Sequence, residues 1–103
     1  MEFAASELVA AFYRQGLNST VEDTGGGTAT LTIDGGIVQV GPGAFGPNGA
    51  TFDTTELSYG FYTIDDNGDV EEDSDAVWFT NNDTPESIAA DVAKAYRDYK
   101  EAS

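Results

Sequence analysis

The hydrophobic period of this chain changes twice, and those two changes constrain its fold more than any other feature. Near the start, Phe3, Leu8, Val9 and Phe12 recur at helical spacing, with alanines between them. Gly16 follows where a helix C-terminal cap belongs, so the pattern predicts a helix from about Glu2 to Gln15. Near the end, Asp83-Thr84-Pro85-Glu86 supplies a capping residue, a proline in the first turn and an early carboxylate. Ile88, Val92, Ala95, Tyr96 and Tyr99 then fall on one face, and Lys94, Arg97 and Lys100 gather toward the negative end of the helix dipole.

Between these helices the period becomes two. Thr28–Ile33 and Ile37–Val40 flank Asp34-Gly35-Gly36, a hairpin signal, and a strand near Ser19–Asp23 precedes them through the turn Thr24–Gly27. Leu57–Asp65 and Val70–Thr80 flank Asp66-Asn67-Gly68-Asp69, whose Asn-Gly pair favours a tight turn. The segment Gly41–Thr55, with Gly-Pro-Gly and Gly-Pro-Asn-Gly, reads as a long loop with Phe45 either tucked into the core or making a contact. The order is helix, about five antiparallel strands, helix. Two amphipathic helices and one half-wet sheet make an α+β two-layer sandwich with both helices on one face, a single domain over residues 1–103. Ile88, Val92 and Tyr96 are expected to pack on Leu8 and Phe12 or on strand residues such as Leu31 and Ile33.

Charge is divided as sharply as period. From Gln15 to Ala93, a run of 79 residues, there are fifteen carboxylates and no lysine or arginine. Arg14, Lys94, Arg97 and Lys100 lie outside that run, where Glu2, Glu7, Asp98 and Glu101 cancel them, so the formal charge of −15 belongs to the middle of the chain. Solubility needs far less charge, and self-repulsion costs stability, which points to a role outside the fold.

Several function classes are excluded or disfavoured. Cysteine and histidine are absent, which removes disulfides, thiolate chemistry, the commonest general base and the commonest metal ligand. No segment approaches the roughly 20 apolar residues that span a bilayer, and Met-Glu-Phe-Ala-Ala-Ser-Glu does not resemble a signal peptide. An anionic membrane or a nucleic acid would repel the acidic middle, so no direct binding to either is expected. The expected location is the cytoplasm. Carboxylates are plentiful, but nothing selects a catalytic pair, so neither catalytic residues nor cofactors are assigned.

The densest acidic run is Asp65, Asp66, Asp69, Glu71, Glu72, Asp73 and Asp75, seven carboxylates in eleven residues. On a regular strand Glu71, Asp73 and Asp75 would form a row with a spacing of about 6.8 Å. That is about twice the 3.4 Å rise per nucleotide of one DNA strand, so such a row can imitate phosphates. The bland account is a solvated hairpin that blunts a sheet edge. A calcium loop over Asp65, Asn67, Asp69 and Glu71 is opposed by Val70 where glycine is needed and Ala76 where glutamate is needed, so no metal site is assigned. Gly41–Gly49 lacks the lysine of a phosphate loop. Alternation puts Tyr59 and Phe61 on one sheet face and Tyr62 and Ile64 on the other, with Trp78 and Phe79 opposed. Tyr62 and Trp78 therefore join the seven acids as expected partner-contact residues.

In size, charge and layout the chain resembles the small acidic inhibitors of phages and mobile elements, among them anti-CRISPR proteins and uracil-DNA glycosylase inhibitors. The resemblance spans the chain as an architecture and carries no shared motif. It implies a nucleic-acid mimic that occupies the basic groove of a host protein, a CRISPR effector or another defence nuclease, in the host cytoplasm. The alternative is a halophile-adapted interaction module or subunit, acidic without mimicry. The near-neutral terminal segments oppose that alternative, because salt adaptation should make every exposed face acidic. Composition and pattern leave the oligomeric state open.

Overall fold

The computed structural model describes residues 1–102. Strand β1 (Glu2–Ala4) leads into helix α1 (Ala5–Arg14). Strands β2 (Ser19–Gly25), β3 (Thr28–Ile33), β4 (Val38–Gly46), β5 (Gly49–Asp53), β6 (Ser58–Ile64), β7 (Val70–Glu72) and β8 (Val77–Trp78) follow, and helix α2 (Pro85–Ala102) closes the chain. The main sheet path runs β1-β5-β4-β3-β2, and every pairing is antiparallel.

The sheet forks at β4. One edge of β4 pairs with β3 along most of its length. The other edge is divided: Ala44–Gly46 pairs with β5, and Val38–Gly41 pairs with β6. A bulge marks the division, because Ala29 faces Gly43 whereas Leu31 faces Val40. Gly43 has no room for a side chain: an added Cβ would lie 2.6 Å from the Phe52 ring and from the Thr51 carbonyl oxygen. From this fork β6 runs on beyond the layered body and pairs on its far edge with β7 and β8.

Both helices share one face of the sheet. Leu8 and Phe12 of α1 and Ile88, Val92 and Tyr96 of α2 are buried in one cluster with Leu31, Ile33, Val38, Val40, Tyr59 and Phe61. Burying side chains of this size stabilises the fold by about 1.5–3 kcal/mol each. The opposite face, with Thr20, Glu22, Thr30, Thr32 and Gln39, is polar, as expected of a sheet covered on one side. Thr84 starts α2 by accepting a hydrogen bond at Oγ1 from the Ser87 amide, 3.1 Å away, while Ser87 Oγ accepts from the Thr84 amide at 2.8 Å.

Three local expectations are corrected. Glu2–Ala4 is a strand that pairs Phe3 with Phe52, so the first helix begins at Ala5. Gly41–Thr55 is not a long loop: β4 continues to Gly46 and turns back through Pro47-Asn48 into β5. The stretch Val70–Thr80 is broken into β7 and β8, and together with β1 and β5 this raises the strand count from about five to eight. Each miss has a tertiary cause. Phe3 finds an aromatic partner in Phe52 at 6.2 Å, and Gly43 permits the close strand approach that Phe52 requires.

Candidate protein-contact surface

The acidic run forms an arm. β6 and β7 pair through Tyr62–Glu72, Thr63–Glu71 and Ile64–Val70, and the turn between them is built by Asp65. Asp65 Oδ1 accepts hydrogen bonds from the amides of Asn67 at 2.9 Å and Asp69 at 2.8 Å. Its backbone amide donates to the Asp69 carbonyl, and its own carbonyl accepts from Gly68. Gly68 has φ of 85°, the left-handed conformation that this turn requires. Asp65 is thus a turn-building residue as well as a charge.

All seven predicted acids are exposed, but they do not form the expected row. Tyr62 faces Glu72 whereas Tyr59 faces Val77, so three steps along β6 span five on its partner, and two extra residues bulge out. Ser74 causes the break by offering its side chain in place of a backbone carbonyl: Ser74 Oγ accepts from the Phe61 amide at 3.0 Å. The Asp73 amide still donates to the Phe61 carbonyl at 2.9 Å, but Asp75 lies on the irregular link. Glu71, Asp73 and Asp75 therefore leave the backbone in different settings, and the charge is spread around the arm.

The base of the arm is anchored to α2. Tyr99 Oη donates to Asp73 Oδ2 at 2.5 Å. The Asp73 carboxylate and, less strongly, burial hold the Tyr99 hydroxyl above the usual tyrosine pKa. One helical turn earlier, Tyr96 donates to the carboxylate of Asp34, which occupies the turn between β3 and β4 with φ of 53°. Burial, and then Asp34, push the Tyr96 hydroxyl up to about 12.

The two predicted aromatics are separated. Alternation places Tyr62 on the polar face with Glu72, but its ring lies back over buried Gly60, 3.6 Å from where a Cβ would stand. Tyr62 is half-buried for that reason and covers a glycine as well as flanking an acid. Trp78 pairs with Ser58 at the other end of β6, about 20 Å along the strand from the arm tip. It is 64% exposed, the most open of the large apolar side chains after Tyr13. The structure thus brings Tyr62 beside the arm acids and leaves Trp78 apart from Asp65, Asp66 and Asp69.

Two further candidates for contact were not picked out from the sequence. Ile64 and Val70 face each other near the arm tip and are 42% and 49% exposed, an apolar pair flanked by Asp65, Asp66 and Asp69. The Asn67-Gly68 turn fixes their pairing, so the signal was present in the sequence. An apolar centre within a charged rim is the usual composition of a protein contact.

Comparison with family models, curated proteins and solved structures finds no match for this chain. No helix among the described residues is long and apolar enough to cross a membrane.

Proposed function

We propose that this chain is an acidic protein ligand that docks its arm into a basic nucleic-acid-binding groove of a host protein and so excludes the nucleic acid. A CRISPR effector or another defence nuclease in the host cytoplasm is the target class this reading favours. The observation that carries it is the exposed β6–β7 arm, with seven carboxylates in eleven residues, in a region of 79 residues without a single basic side chain. A groove that holds phosphates is lined with lysine and arginine, and pre-placed carboxylates meet those cations without the ordering cost of a flexible strand. The broken row changes the mechanism. The arm presents acids on several sides, suited to a groove with cations on both walls, rather than a repeat matched to one phosphate chain.

A competition assay tests the proposal, with purified partner, labelled nucleic acid and rising amounts of this protein. Displacement that weakens with salt supports the docking mechanism, because exposed charges are screened beyond about 8–10 Å at physiological ionic strength. Simultaneous binding without mutual weakening removes it.

One observation favours the salt-adaptation alternative. Glu22, Asp23, Asp34 and Glu56 are exposed acids outside the arm. A salt-adapted protein would carry such a spread without any partner to explain it.

A further inference from the structure

A second surface feature lies away from the arm, in the groove of about 340 Å³ between β8 and α2. Its floor is aromatic: the rings of Tyr59 and Phe79 are 5.5 Å apart and inclined at 34°. Trp78, at the rim, leaves most of its indole in water, a costly placement for the one tryptophan of the chain. The walls are acidic. Asp91 and Asp98 of α2 lie seven residues apart, about 10.5 Å along the helix axis, and Asp83 precedes the helix.

The cations of the groove do not match its anions. Lys94 pairs with Asp98 at 3.2 Å. Among the described residues Asp83 accepts only from uncharged donors, the Thr80 amide and hydroxyl and the Ser87 hydroxyl. Asp91 accepts no hydrogen bond among the described residues, and its charge helps to raise the pKa of Tyr59, after burial. The groove therefore combines an apolar floor, an exposed indole and excess negative charge.

We infer that this groove is a socket for an arginine side chain of a basic protein partner. A guanidinium is flat and weakly hydrated, stacks on aromatic faces, and presents paired N–H donors that suit a carboxylate such as Asp91. A lysine ammonium offers a point charge with a tighter hydration shell and fits this floor less well. Charge complementarity selects a cationic occupant, and the aromatic floor selects arginine among cations. The inference builds on the docking role proposed above and names a second anchor for it, one that salt weakens less than the exposed arm.

Trp78, the sole tryptophan, makes the groove its own reporter. Capped Gly-Arg-Gly and Gly-Lys-Gly peptides are titrated while indole emission is followed, in the unaltered protein, in Asp91→Asn, and in an arm variant carrying Glu71→Gln and Glu72→Gln. The expected result is a saturable response to the arginine peptide that is clearly weaker for the lysine peptide. Asp91→Asn should lose on the order of tenfold in affinity, the effect of one charge-assisted hydrogen bond, and the arm variant should keep its affinity. Equal responses to both peptides, or equal losses in the groove and arm variants, would assign the effect to the general negative field and overturn the inference, as would no response at all. Nucleic-acid competition that succeeds while the peptide experiment fails removes the socket and leaves the docking role standing.

Discussion

The ring of Tyr99 lies on that of Phe61, with centroids 4.5 Å apart and planes 6° from parallel. Through this contact the last turns of α2 press on β6 at the point where it leaves the core. The Tyr99 hydroxyl then reaches Asp73 on the returning chain. One side chain thus holds both rails of the arm root.

Tyr99→Phe separates the two roles, because it keeps the stacking and removes the hydroxyl. We expect global stability to change little, since the bond is exposed. Amide exchange at Asp73, whose N–H donates to the Phe61 carbonyl, should accelerate relative to β3 amides. Unchanged protection at Asp73 would mean that the arm root does not depend on Tyr99.

Val92 is fully buried in the cluster that joins both helices to the sheet. Val92→Asp places an unpaired charge there and should cost about 3–5 kcal/mol, enough to unfold a small domain, measured by urea denaturation. Loss of less than about 1 kcal/mol would show that this site is not the centre of the core.

Gly43→Ala should destabilise by about 1–3 kcal/mol, because one of the atoms its methyl would meet is the fixed Thr51 carbonyl. Gly41→Ala, whose methyl would stand 3.3 Å from the Ala29 carbonyl, should be the milder change. Thermal melts of the two variants give the comparison directly, and a reversed order would place the tight approach elsewhere.

Alkaline pH should unfold the protein earlier than its acidic composition suggests. Tyr96 is raised to about 12, and Tyr59 and Tyr99 are raised as well. A folded-state pKa above the unfolded value near 10 means that the folded chain holds its phenolic protons more tightly. Stability from these groups is complete below about pH 10 and falls as pH rises through about 12. Tyrosinate absorbance and circular dichroism should therefore change together above about pH 10. Substituting Phe for Tyr96 should uncouple them in part.

Salt separates the two accounts of the charge. Screening of self-repulsion should raise the melting temperature up to about 1 M salt, where the screening length is only about 3 Å. A plateau beyond that concentration fits a docking protein of ordinary cytoplasm, and a continued steep rise fits salt adaptation.

Much of the architecture was readable because period and capping agree with the final packing. Ile88, Val92 and Tyr96 are buried where the helical stripe put them, and Tyr59 and Phe61 share one face as alternation required, the face that the structure turns toward the helices. What escaped depended on partners distant in sequence. Phe3 belongs to a strand because β5 lies alongside with Phe52 opposite, and the row at Glu71, Asp73 and Asp75 is interrupted where the Ser74 hydroxyl captures an amide thirteen residues away. No local pattern encodes either event. The exposure of the acids followed from composition, whereas the distance between Trp78 and the arm tip required the register of β8.

The forked sheet gives this short chain two regions under different constraints. β6 serves the core as far as Phe61 and serves only the arm from Thr63 onward, where side chains point into water. Substitutions among Thr63, Ile64 and residues 66–72 therefore leave the layered body untouched, apart from the glycine of the turn. In the docking role proposed above, such an arm can follow a changing target through many generations while the fold beneath it stays still.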